Sequence, residues 1–183
     1  MRIRVMIGAV AAIAAGMGTI ASGGEVVVNV FDFDFSTAPK GETPEDAVVN
    51  SGDSVTWVWQ AGEIGLHSVK SIVGSTEVYF EPATGDDGHE FTHVFKKVGT
   101  HSYYCDVHGV DKGDGTFLGM GGFVTVICKA DCNKDGKLNI NDFICFQGAW
   151  KRREAYGDFD GSGTYTINDF IAFQQAFARG CQF

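Results

Sequence analysis

With 183 residues, 44% of them apolar, the chain has material for one ordinary domain and one small one. Its formal net charge of −9 comes from 23 acidic against 14 basic side chains, which argues against nucleic acid as a partner. The excess is uneven: residues 25–128 carry 16 acidic against 5 basic groups, while 129–183 balance at 7 and 7, so a docking partner of the first part would be basic.

Arg2 and Arg4 precede an apolar, Ala-rich run from Val5 to Ala21, followed by Ser22, Gly23 and Gly24. Residues 1–23 therefore read as a secretory signal peptide cleaved between Ala21 and Gly24, since the run has the length of a signal core and is interrupted by glycines. No later run is long and apolar enough to span a bilayer. The expectation is a secreted, periplasmic or cell-surface protein that does not span the membrane once the signal is removed. Cysteine usage agrees. If Cys105 holds a metal, Cys128, Cys132, Cys145 and Cys181 remain, and an oxidising compartment would pair them in one of three connectivities.

Residues 24–128 alternate and turn as a β-rich domain. Segment 25–35 (EVVVNVFDFDF) puts Phe31, Phe33 and Phe35 on one face and Asp32 and Asp34 on the other. Further strands are expected at 47–50, 54–60, 67–72, 90–95, 100–107 and 123–127, separated by turn signals such as Ser51-Gly52-Asp53 and Val98-Gly99-Thr100. Some seven or eight short strands in about 100 residues describe a β-sandwich.

The stretch YYCDVHGVDKGDGTFLGM carries the chemistry. Cys105 offers a thiolate, His108 an imidazole three residues on, and Met120 a thioether just before the last strand. A second imidazole is available at His67, in GLHSV. Two His and one Cys with a weak axial Met form a mononuclear copper centre that carries electrons. Residues 1–23 contain the other three Met, so Met120 is the single Met of the exported chain, and Cys105 is the first Cys. His93 is the second choice should His67 not be a ligand; His101 reads as a core residue on the face of Tyr103 and Cys105, and His89 as a packing residue.

The order GDSVTWVW, HSV, FKKVGTHSYYCDVHG, GMGGFVTV resembles the plastocyanin-like cupredoxins over the whole of 24–128. That resemblance implies a Greek-key β-sandwich with one type 1 copper on His67, Cys105, His108 and Met120. GVDKGDGTFLG between His108 and Met120 is longer than the family's spacing. It further implies that His108 reaches the surface to pass electrons to a docked redox protein, with Gly109, Gly119, Gly121 and Gly122 keeping the surrounding surface low.

Residues 129–183 contain a duplication. DCNKDGKLNINDFICFQGAW and DFDGSGTYTINDFIAFQQAF align at an offset of 27 residues. Each opens on a calcium-loop pattern: Asp131, Asn133, Asp135, Asn139 and Asp142 with the Lys137 carbonyl, then Asp158, Asp160, Ser162, Thr166 and Asp169 with the Thr164 carbonyl. Gly136 and Gly163 sit at the sharp turns, and up to two calcium ions are expected. Phe143 and Phe146, with Phe170, Phe173 and Phe177, recur at helical spacing and would pack two helices together. Asp rather than Glu as the last ligand resembles dockerin modules, which implies tethering to a cell-surface or scaffold protein. Ile140-Asn141 and Ile167-Asn168 depart from that family's Ser/Thr pair, so a calcium-stabilised structural cap stands beside the tether.

The reading that follows is a secreted blue copper protein carrying single electrons, mainly β with a small helical calcium-loop domain. It is not expected to be an enzyme: the additional His-rich motifs of multicopper oxidases and the second nearby Cys of a binuclear centre do not occur. Alternatives are a non-redox adhesion or scaffold protein and a copper storage or delivery protein.

Overall fold

The computed structural model describes residues 24–61 and 65–183; the expected signal peptide lies outside them. Among the described residues nine strands form two sheets: β1 (Glu25–Phe31), β2 (Asp34–Ser36), β3 (Ala47–Asn50), β4 (Ser54–Trp59), β5 (His67–Ser71), β6 (Phe80–Thr84), β7 (Glu90–Val94), β8 (Gly99–Asp111) and β9 (Phe117–Ile127). One sheet runs β2-β1-β4-β7 and the other β3-β9-β8-β5-β6. Two helices follow, α1 (Ile140–Arg152) and α2 (Ile167–Arg179), with a short 3-10 turn at Ala155–Gly157 between them. No helix among the described residues is long and apolar enough to cross a membrane.

The core between the sheets is built on alternation. Val28 and Val30, Val55, Trp57 and Trp59, Tyr103 and Cys105, and Val124 and Val126 all turn inward. Trp57 is fully buried at the centre, with the rings of Tyr79, Phe91 and Tyr103 at 5.4, 5.6 and 5.2 Å. Such a ring buries a large apolar area.

Three elements differ from the sequence reading. The expected strand 25–35 breaks at Asp32 and Phe33, which turn β1 back into β2 with Phe31 opposite Asp34. Phe33 sits at φ 65° and is 67% exposed, so it leaves the face it shares by parity with the buried Phe31 and Phe35. β6 was not expected, because its exposed-half-buried pattern carries no apolar alternation. The long segment between His108 and Met120 is no loop: β8 and β9 continue as a ribbon pairing Val110 with Leu118 and Asp111 with Phe117.

Each helix begins on a capping box. Asn139 accepts from the Asn141 N–H while Asp142 reaches back to the Asn139 backbone, and Thr166 and Asp169 repeat the arrangement. Phe146 stacks on Phe173 with centroids 4.4 Å apart, and Phe159 closes the small core edge-on at 5.3 Å from Phe173. Disulfides join Cys128 to Cys181 and Cys132 to Cys145, selecting one of the three connectivities. The helical segment is also joined to the sandwich by Gln182, which bridges Lys97 and accepts the Val98 N–H at 2.7 Å.

Candidate metal centre

Strand pairing, more than chain proximity, assembles the centre. β5 runs antiparallel to β8 with Lys70 opposite Tyr104. Continuing that register brings Ser68 level with Asp106 and places His67, at the start of β5, beside the end of the buried part of β8. The Trp59 indole N–H donates to the His67 carbonyl at 3.2 Å and fixes the backbone there.

The β8–β9 register then changes. Tyr104 pairs with Gly121, but the next pair is Gly109 with Gly119, so residues 105–108 bulge opposite Met120 alone. This bulge brings Cys105, His108 and Met120 to one place although Met120 lies far along the chain. Two glycines permit it. Gly119 has φ 89°, and a Cβ there would lie 2.4 Å from the His108 carbonyl oxygen; at Gly109 it would lie 2.8 Å from that of Met120.

One donor atom from each of His67, Cys105 and His108 lies within 4.8 Å of the others. The Cys105 sulfur is 3.6 Å from His108 Nδ1, and the two imidazole centroids are 4.8 Å apart. Cys105 is completely buried, His67 is 2% exposed and Met120 4%, the last in the same core cluster as the thiol. His108 is half-buried and meets the exposed Phe33 edge-on at 4.8 Å. A soft thiolate, two imidazoles and a buried thioether fit copper by donor type.

The remaining histidines are engaged elsewhere. His93, the second choice, lies 3.3 Å from Glu77 Oε2; His89 is 2.8 Å from Glu81 Oε1; and His101 is 2.7 Å from the Lys97 carbonyl in the core. Below the centre, burial pushes the Tyr103 phenol well above its ordinary value and keeps it neutral. Sequence reading missed Asp32, whose Oδ1 is 3.6 Å from His67 Nε2, and Ser68, whose N–H donates to the Cys105 sulfur at 3.4 Å. Their signal is adjacency at most: Ser68 follows His67, and Asp32 sits in a turn whose alternation reads as strand.

In the second repeat Asp158, Asp160 and Asp169 bring carboxylate oxygens within 4.8 Å of one another. Asp169 is fully buried and accepts the Asp160 and Thr166 N–H groups, while Asp158 accepts from Gly163 on one oxygen and leaves Oδ1 buried without a donor. Ser162 hydroxyl and N–H groups hold Asp160 below the ordinary carboxylate range. The first repeat is closed on itself: Asp131 accepts from Asp135 and Gly136, Asp142 from Asn133 and Asn139, and Asp135 from Lys137 and the Asn133 amide. Asn139 and Thr166, expected as ligands, cap helices here, and the Thr164 carbonyl lies 3.2 Å from the Ser162 hydroxyl oxygen.

Neither a protein-family model nor a curated protein matches the chain. Among solved structures, an oxidized amicyanin mutant is 25% identical over 58% of this chain and 86% of its own, with a TM-score of 0.41. The Cu(I) form of another amicyanin mutant is 26% identical over 60% and 87%, at 0.40. The Cu-containing nitrite reductase of Thermus scotoductus SA-01 is 20% identical over 63% of this chain but 25% of its own, at 0.43. At these scores the functional reading rests on the side chains of the centre.

Proposed function

We propose that this chain is an exported copper protein of the cupredoxin type that carries single electrons and catalyses no reaction, with residues 1–23 as its signal. The observation that carries the reading is Cys105: a free, fully buried thiol among four disulfide-bonded cysteines, grouped with two imidazoles. A lone thiol in an oxidising compartment asks for a reason, and metal ligation supplies one. His67, Cys105 and His108 would hold the ion, with Met120 as the weak fourth ligand. Copper would supply one-electron exchange between its two oxidation states. The chain's own part is rigidity: the strand ladder, the Gly109–Gly119 pair and the Ser68 N–H hold the donors in one arrangement. Half-buried His108 is the donor nearest the surface, and a redox partner docking beside it would meet an acidic protein.

For the helical segment the reading is calcium binding, favoured in the second repeat by the three converging carboxylates and the donor-less Asp158 Oδ1. Its role would be to stabilise the fold or tether the copper domain to a surface or scaffold protein.

The deciding experiment adds Cu(II) to the purified protein lacking residues 1–23 and records visible absorption before and after Cys105→Ser. An intense blue thiolate-to-copper band that vanishes in the variant is expected. A colourless protein, or a band indifferent to the substitution, would remove the electron-carrier reading in favour of an adhesion or scaffold role. Colour with no electron exchange with any redox protein would favour storage or delivery.

A further inference from the structure

Apart from His108, itself a proposed ligand, the sulfur of Cys105 has two neighbours among the described residues able to donate to it, and both belong to Ser68. The backbone N–H donates at 3.4 Å. The hydroxyl stands 3.8 Å from the same sulfur, but it donates to Asp106 Oδ1 at 2.5 Å and itself accepts the Asp106 N–H at 2.9 Å. A hydroxyl carries one proton. It goes to the carboxylate or to the sulfur, and the shorter contact to a charged acceptor is much the stronger. Asp106 is held in that orientation by Lys70, whose Nζ is 3.6 Å from Oδ2 and 5.9 Å from the Tyr104 ring centroid. Ser68 is fully buried, so bulk water does not compete for the hydroxyl.

We propose that Asp106 is a positioning residue of the copper centre: by taking the Ser68 hydroxyl proton it leaves the Cys105 sulfur with a single backbone donor and keeps the reduction potential low. This inference rests on the copper reading. Each hydrogen bond to a ligating thiolate draws electron density from the sulfur, weakens its donation to the metal and favours the reduced state. Removing the carboxylate releases the hydroxyl to become a second donor. Neither residue is itself a ligand; each directly follows one, Ser68 after His67 and Asp106 after Cys105.

The test compares four copper-loaded proteins: wild type, Asp106→Ala, Ser68→Ala and the double variant. Potential and visible spectrum are read for each, together with a crystal structure of metal-free Asp106→Ala. Asp106→Ala is expected to raise the potential and move the thiolate-to-copper band to shorter wavelength. In the Ser68→Ala background the same change should raise the potential less and leave the band in place, because only the loss of a nearby negative charge remains. In the crystal the hydroxyl should turn onto the sulfur and close to under its present 3.8 Å. Equal shifts in both backgrounds, or a hydroxyl that stays away from the sulfur, overturn the proposal while a blue wild type keeps the copper reading. A wild type that never turns blue removes both.

Discussion

A methyl group at Gly119 would press on the His108 carbonyl oxygen at 2.4 Å, in a backbone conformation, φ 89°, that already disfavours any side chain. Gly119→Ala is therefore expected to destabilise the protein by ~2 kcal/mol or more and to weaken copper uptake, measured by urea unfolding and Cu(II) titration. Gly113→Ala, at φ 73° with nothing within 4 Å of its Cβ, is the control: about 1 kcal/mol lost and the colour kept. Glu77 acts through charge. Burial raises its carboxyl, but the Lys97 and Lys96 N–H groups and the His93 ring outweigh burial and hold it below the usual 4.5. A group depressed in this way stabilises the fold above its unfolded value, and that contribution is lost as pH falls through the folded value. Glu77→Gln should lose roughly 2 kcal/mol near neutral pH and show a flatter decline than wild type below about pH 4.5, read from urea midpoints against pH. The grouping of His67, Cys105 and His108 was legible in the sequence because Cys and His are rare here and chemically distinctive. Ser68 and Asp106 were not, since their relation to the thiol arises from pairing between strands 37 or 38 residues apart.

Between His108 and Met120 the sequence shows glycines and charges and reads as an insertion, yet it forms paired strand because the bulge at 105–108 restores the register beyond it. Parity explains the other misreadings. One turn residue at positive φ moves Phe33 out of its alternation, and β6 has no alternation to read. The helices were legible because the duplication supplies each with its cap, its acidic third position and its phenylalanines. The two loops, so similar in sequence, differ in what their carboxylates do. The first spends its oxygens on backbone N–H groups, whereas the second leaves Asp158 Oδ1 without a donor. Calcium is accordingly expected to bind the second repeat more tightly. Asp158→Asn should reduce that affinity at least tenfold by calorimetric titration and leave the blue band unchanged.

Over the whole molecule, the acidic sandwich and the charge-balanced helical segment are joined at several points: Gln182 on Lys97 and Val98, Arg179 Nη1 at 4.0 Å from Asp53 Oδ1, and the Cys128–Cys181 disulfide. Loop-closure entropy puts the crosslink spanning 53 residues at roughly 4 kcal/mol. Replacing Cys128 and Cys181 together by Ser should lower the unfolding midpoint of the helical segment far more than that of the sandwich, seen as two separated transitions in calorimetry. The two helices that follow the strands were legible from the duplication; the return of the last residues to the sandwich was not, because four cysteines allow three pairings and only the packed fold selects one. The same bond changes what a protease can do. Residues 129–180 are a closed loop rather than a tail, so a single nick anywhere within them yields two fragments that still travel as one particle. Shedding the sandwich would require a cut and a reductant together.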